Sequence, residues 1–337
     1  MENKLKTVSF SPFIHCGDSV QKIMIDVIIA TLPIIISSIY FFRLNALILL
    51  LTTIFSSVFF EWISRKIMKR YNSINDFSAI VTGILLALTL PPTTPIPIAI
   101  LGSFVSIIIA KQFFGGIGYN IFNPALVGRG FILISFSNQL TTWIHPYTQN
   151  NYLDAIASST PLNLTKEIFN LIYSNNIFQA TNLLNKIKLT DLWTLFYGNC
   201  SGSIGETSTL AIIIGFVYLI IKKRINIEIP IFYIGTCFFI SCFISLQNNL
   251  NILYPLIQIL SGGLFLGAIF MATDPVTKPL NKKNRIIYSI GLGIITMIIR
   301  LKGNYPEGVL FSILIMNMIN PFLNKHFKNK IFGKNKN

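Results

Sequence analysis

Apolar runs of up to about twenty residues, separated by short basic clusters, recur along most of this chain and limit what it can fold into. A run such as residues 23–42 is long enough, as a helix, to cross the ~30 Å hydrocarbon core of a bilayer. Hydrophobic residues make up 52% of the 337 and charged residues 12%, with a mean hydropathy of +0.63; a soluble domain carries roughly twice that charge fraction. These features predict an all-α polytopic membrane protein and exclude an ordinary soluble enzyme. The net charge of +15 would suit nucleic acid if it lay on a soluble face. Here the basic residues sit between apolar runs, so they report topology instead.

About ten transmembrane segments are expected, at 23–42, 45–63, 77–90, 95–112, 119–136, 205–221, 228–246, 253–271, 286–299 and 307–323. The third and ninth, near 14 residues each, read as broken or half-helices facing a protein-lined cavity. Placing the N-terminus inside puts 20 of the 27 Lys and Arg on the inner face and 6 on the outer, with Arg129 inside the fifth segment. That asymmetry fixes the expected orientation, both termini cytoplasmic. Residues 1–19 are polar, so no cleavable signal peptide is expected.

Five segments precede a long polar stretch, 137–204, and five follow it. Five is odd, so the two halves enter from opposite sides, as a 5+5 inverted repeat requires. Weak echoes support the repeat: Leu88-Thr-Leu-Pro-Pro-Thr-Thr-Pro95 against Ala272-Thr-Asp-Pro-Val-Thr-Lys-Pro279, and Gly118-Tyr-Asn against Gly303-Asn-Tyr. The expected organisation is a cytoplasmic segment 1–22, a first membrane half 23–136, an external loop 137–204, a second half 205–323 and a basic cytoplasmic tail 324–337. A loop of that length tends to be functional, and apolar clusters such as 193–197 suggest that it packs on the membrane face.

Burying an ionisable group unpaired in a bilayer costs several kcal/mol, so such groups mark structure or function. Asp76, Glu206 and Glu307 each stand at an expected helix start, where a carboxylate caps free N–H groups. Asp274 follows a helix and precedes Pro275, which suits a cation or cofactor cavity better. Arg129, in Phe122-Asn-Pro-Ala-Leu-Val-Gly-Arg129-Gly, needs a carboxylate, phosphate or carbonyl partner; a bound ligand and one of the acids fit equally. Asn123-Pro124 breaks the helix and frees backbone groups. In Asp154-Ala-Ile-Ala-Ser-Ser-Thr160-Pro-Leu, Thr160 is expected to be extended, because it precedes proline, and exposed. Cys16, Cys200, Cys237 and Cys242 show no Cys-x-x-Cys spacing, and no metal or cluster site is expected on this chain.

Several strings together resemble a known family. Asp76-Phe-Ser-Ala-Ile-Val-Thr-Gly83, Asn120-Ile-Phe-Asn-Pro-Ala-Leu-Val-Gly-Arg129, Gly202-Ser-Ile-Gly-Glu-Thr-Ser208, Met271-Ala-Thr-Asp-Pro-Val-Thr277 and Tyr305-Pro-Glu-Gly-Val309 are similar to the D subunit of the Rnf electron-transport complex. That protein is related to the B subunit of sodium-pumping NADH:quinone reductase. The resemblance implies a membrane component of an ion-translocating ferredoxin/NADH oxidoreductase in the bacterial inner membrane, working with other membrane and peripheral subunits, one of them a flavin carrier on the outer side. It also implies FMN joined by a phosphoester to Thr160, with Arg129 and Asn123 as further cofactor-binding residues. Asp274, Glu206 and Glu307 are then candidates for an ion path or cavity lining. The related reductase subunit also binds riboflavin, which makes a second flavin an expectation.

Two departures stand out. Ala157-Ser158-Ser159 replaces the family's Ser/Thr-Gly-Ala before the threonine, and Ser11-Pro12-Phe13-Ile14-His15 keeps one of two histidines. A solute channel on the same inverted-repeat fold and a flavin-free structural subunit are the alternative readings.

Overall fold

The computed structural model describes residues 18–71, 73–144, 146, 160–174, 176–186, 189–303 and 307–326. Among these, helices account for all the regular structure. The first two expected segments form one helix, α1 (Val20–Ile67), broken at Arg43, whose φ of 49° leaves the helical region. Unbroken, 48 residues would extend ~72 Å, more than twice a bilayer core, so the break at Arg43 is what lets both arms pack. Ser19 caps the start by accepting from Lys22 N.

A single 3₁₀ turn, Ile74–Asp76, leads into α2 (Ser78–Thr89) through Phe77, which is left-handed at φ 60°. Asp76 caps α2: its Oδ1 accepts from Ser78 N at 2.8 Å and from the Ser78 hydroxyl. At 12 residues, α2 is only ~18 Å long and stops short of a full crossing, as the sequence predicts. Next come α3 (Ile96–Phe104), which runs directly into π-helical turns over Val105–Gln112, and α4 (Pro124–Ser135), begun by Asn123 as its N-cap. The short α5 (Ser137–Leu140) closes this half.

The expected external stretch supplies three amphipathic helices, α6 (Pro161–Tyr173), α7 (Ile177–Lys186) and α8 (Leu189–Tyr197). Ile168, Ala180 and Leu184 pack against Leu250 and Tyr254 in a small core of their own. The second half contains α9 (Thr209–Ile221), α10 (Glu228–Gln247), α11 (Leu253–Leu260), α12 (Leu264–Leu266) with π-helical turns over Gly267–Met271, α13 (Lys282–Lys302) and α14 (Val309–His326).

Two expectations need correction. The ninth segment is not short: α13 is 21 residues long, because it continues through polar ends that a hydropathy reading excludes. The break falls in the eighth segment instead, where Ser261-Gly262-Gly263 bends the path between α11 and α12 by 58°. Gly262 at φ 70° makes that turn. Among the described residues, α1, α10 and α13 are each long and apolar enough to cross a membrane, and the bent α11–α12 pair forms one more such path. Shorter apolar helices, α2, α3 with its π turns, α4 and α9, fill the space between.

The surface is that of a membrane bundle. Large apolar side chains face outward, with Phe55 69%, Phe239 74% and Phe243 69% exposed, while Glu61, Lys111, Arg129 and Arg300 are inside. Helices approach closely at glycine. A Cβ on Gly83 of α2 would lie 2.8 Å from Thr53 O and 2.9 Å from Ile54 Cα, whereas one on Gly235 meets nothing within 4 Å. Gly83→Val is therefore expected to lower stability by about 1–3 kcal/mol through overpacking. Gly235→Ala, inside α10 with open space for a methyl, is expected to lower nothing and to raise stability by up to about 1 kcal/mol through helix propensity. Thermal unfolding of the two purified variants, followed by tryptophan fluorescence in detergent, checks the contrast.

Candidate functional site

Thr160 ends the chain's approach to α6. Its backbone is extended (φ −71°, ψ 150°), and its Oγ1 accepts from Asn163 N at 3.3 Å as the helix N-cap, with Pro161 in the first turn. The extended conformation was expected before proline. The exposure was not: Thr160 is only 8% exposed. The reason is tertiary, since α6 lies down on α11 and α13, and Lys166 anchors it by donating to Gly303 O at 2.7 Å. Asp154 and Ala157-Ser158-Ser159 lie outside the described residues.

Thr160 opens onto a cavity of about 430 Å³, whose lining includes Trp143, Leu195, Cys200, Glu206, Thr207, Ser261, Gly262 and Glu307. Its floor is the turn 203–208. Gly205 N donates to Leu88 O at 2.8 Å and Ile204 N to Leu90 O at 3.0 Å, finishing carbonyls at the end of α2 that would otherwise be unpaired. Only glycine permits this, because a Cβ at 205 would stand 2.6 Å from Leu88 Cβ. The Thr207 hydroxyl, on the same lining, is buried without a hydrogen-bond partner among the described residues. Burial holds the Cys200 thiol up at about 12, so it is uncharged at neutral pH and no thiolate faces the cavity.

Arg129 rises from α4 into this region. Its Nη2 pairs with Glu307 Oε2, and its Nη1 lies 3.8 Å from Glu206 Oε1 and 3.4 Å from Ser203 Oγ. Of the two partners the sequence left open for Arg129, the structure supplies the acids. Glu206 and Glu307, expected as helix starts and as candidates for cavity lining, precede Thr209 and Val309 in the turns ahead of α9 and α14 and face a single guanidinium.

Asn123 is elsewhere. Its Oδ1 accepts from Ala125 N at 3.1 Å and its Nδ2 donates to Met271 O at 3.4 Å, joining the start of α4 to the end of the π turns. Six residues of α4 separate it from Arg129, about 9 Å of helix rise. Asn123 lines two further cavities, of about 450 and 490 Å³, and Asp274 borders both. Asp274 accepts from the Thr277 hydroxyl at 3.2 Å. Burial pushes its carboxyl above the usual carboxylate range, against that hydrogen bond, backbone N–H groups and Lys278. Burial lowers the Lys278 ammonium in turn.

Two buried constellations escaped the sequence reading. Lys111, on the π turns, donates to Glu61 Oε2 at 2.5 Å and to Ser78 Oγ at 2.6 Å, and Glu61 is 0% exposed. These residues lie 50 positions apart, each at the edge of an apolar run, where both looked like interfacial charges. Arg300, counted as an outer-face charge, is buried in α13 and donates to Gln258 O at 2.5 Å and Ser261 O at 3.2 Å. It thereby holds the last carbonyls of α11 at the break. Its spacing of four from Thr296, and of eight and twelve from Leu292 and Tyr288, all buried, was the available signal.

Comparison with known proteins adds the family. The sequence pattern described as the NQR2, RnfD, RnfE family matches residues 7–333. The chain belongs to that family. It is 41% identical over 331 residues to the D subunit of the Na(+)-translocating ferredoxin:NAD(+) oxidoreductase complex of Acetobacterium woodii, covering 98% of this chain and 96% of the relative. It is 38% identical over 334 residues to the D subunit of the proton-translocating ferredoxin:NAD(+) oxidoreductase complex of Clostridium ljungdahlii, covering 99% and 98%. The D subunit of an ion-translocating oxidoreductase complex from Stutzerimonas stutzeri is 35% identical over 339 residues, covering 94% and 93%. In this member of the family, the motifs that carry the likeness converge on the walls of the cavities.

Two outcomes follow from the geometry. Removing one partner of a buried ion pair costs about 3–5 kcal/mol, so Arg129→Met, which strands two carboxyl groups, is expected to abolish recovery of the folded protein or lower its unfolding midpoint steeply. Yield and thermal unfolding of the purified variant test this. A carboxyl raised on folding favours the native state in its neutral form, so its contribution is complete at low pH and is lost as pH rises through the raised value. The stability of the wild type relative to Asp274→Asn should therefore fall as pH is increased, and a flat difference across a pH series of unfolding midpoints contradicts it.

Proposed function

We propose that this chain is the D subunit of an ion-translocating ferredoxin/NADH oxidoreductase complex, and that it carries FMN on Thr160 through a phosphoester and relays electrons in step with cation transport. The observation that carries the reading is the position of Thr160, whose hydroxyl stands at the N-terminus of a 13-residue helix and on the wall of a cavity. Unpaired N–H groups and the helix dipole favour an anion there, which suits a phosphate diester. The cavity wall that Thr160 shares brings apolar and polar groups together, as small-molecule sites do. Trp143 and Leu195 offer apolar walls, and the unpartnered Thr207 hydroxyl offers a hydrogen bond.

When bound, the flavin supplies one- and two-electron chemistry. The chain's own residues do the rest. Thr160 fixes the reach of the group and α6 holds Thr160 down. The wall formed by Ser261 and Gly262 is backed by the Arg300 guanidinium. The cavities beside Asn123 and Asp274 are where we place a cation, and Asp274, Glu206 and Glu307 are the groups we assign to the ion path or its lining; a second flavin remains the expectation drawn from the resemblance alone.

The arrangement in the membrane follows the same reading. Ten spans in two inverted halves, both termini in the cytoplasm and residues 137–204 on the outer side of the inner membrane agree with the distribution of Lys and Arg, 19 against 5 once the buried Lys111 and Arg300 are set aside. Other subunits of the complex, one carrying a flavin on the outer side, then cover part of the apolar lateral surface and complete the electron path.

Denaturing the purified chain and viewing the gel for flavin fluorescence tests the tether. Fluorescence is expected on the wild-type band and is expected to vanish in Thr160→Ala. Fluorescence that survives the substitution places the attachment elsewhere.

A further inference from the structure

Two buried carboxyl groups and one guanidinium meet at the edge of the Thr160 cavity. The Arg129 side chain is 6% exposed, Glu206 6% and Glu307 17%. With both acids ionised, this triad carries a net charge of −1 away from water, which protein interiors avoid by neutralising one group. The surroundings offer no second counter-ion at ion-pair distance among the described residues. Arg300, facing the site from α13 across Gly262, makes no ion pair with a carboxylate among those residues and spends its donors on the carbonyls of Gln258 and Ser261. Cys200, on the same cavity wall as Glu206, is an uncharged thiol. Leu88 and Leu90 at the end of α2 and Thr160 ahead of α6 bring no charge, and the Lys166 ammonium of α6 donates to Gly303 O.

The distances divide the pair. Glu307 holds the close contact to Arg129, while Glu206 stands off at 3.8 Å. Glu206 is also the more buried, and its Oε1 presses on the α11–α12 break, 2.5 Å from where a Cβ on Gly263 would sit. We propose that Glu206, Glu307 and Arg129 together hold one proton, carried by the Glu206 carboxyl, and form a proton store on the wall of the Thr160 cavity. Glu307 is then the carboxylate that balances Arg129, and its partial exposure gives the store contact with the cavity mouth. The unpartnered Thr207 hydroxyl, next in sequence to Glu206 and on the same wall, can donate or accept a hydrogen bond as the proton moves.

The store itself stands on the geometry of the triad. Its use, giving a proton into the cavity when negative charge enters it, rests on the reading of the cavity as a flavin site. Infrared spectroscopy of the intact purified complex at neutral pH separates the two. A carboxylic-acid C=O band that shifts in heavy water is expected in the wild type and in Thr160→Ala. The band should disappear in Glu206→Gln. It should also disappear in Glu307→Gln, where one acid remains to balance Arg129 and no proton is needed. Arg300→Gln should retain it. If Glu206→Gln does not assemble, Glu307→Gln gives the same answer.

A band unmoved by both glutamate substitutions overturns the proposal, as does a band that sodium abolishes, which would make the site a sodium site. Loss of the band in Thr160→Ala would overturn the independence of the store from the cavity's occupant. The flavin reading fails separately, on the gel.

Discussion

Helix ends buried in a membrane bundle have no water to complete their hydrogen bonds, and each broken helix here must find partners for its free N–H and C=O groups inside the protein. The structure answers this end by end. Asp76 caps α2 at one end, and the backbone of Ile204 and Gly205 caps it at the other. Asn123 caps α4 and reaches across to Met271 O. Thr160 caps α6, Ser208 caps α9 and Arg300 closes α11. Because those ends are interior, the groups that satisfy them are interior too, and the cavities form between them.

The same constraint governs the charges. Two guanidinium groups, an ammonium and several carboxyl groups lie inside a bundle whose outer surface is aromatic and aliphatic. Glu61 with Lys111 and Arg129 with Glu307 are close pairs, which is how a low-dielectric interior tolerates them. Asp274 and Glu206 lack such a close opposite charge, and both border cavities. Charge that is not fully compensated is what a site needs if it is to respond to an arriving ion or electron. Ser78 of α2 lines one cavity system, and Leu88, about 15 Å further along the same helix, meets the turn that borders the other, so one short rigid element touches both.

Much of this was legible in the chain. Asp76, Asn123 and the short α2 could be read locally, because capping and helix breaking depend on neighbours within a few residues. The family could be read as well, since its motifs are contiguous strings. The burial of Thr160 could not: it depends on α6 packing against helices about a hundred residues downstream. Nor could the ion pair of Glu61 and Lys111, because a charged residue at the edge of an apolar run looks the same whether it faces headgroups or a partner. The ninth segment was read as short because Arg300 looked like its polar boundary, whereas Arg300 is a buried clamp on a break in the neighbouring path.

By itself, the sequence determined the membrane class, the helical secondary structure, most helix starts and the family, all of which rest on local composition, periodicity and contiguous motifs. The tertiary structure alone decided which charges pair, which cavity each motif faces, and that Arg129, Glu206, Glu307 and Thr160 gather at one place. The physical reason is that pairing and burial are set by distance in space. In a bundle of broken helices, residues from 129 to 307 come within a few ångströms at positions that no spacing along the chain encodes.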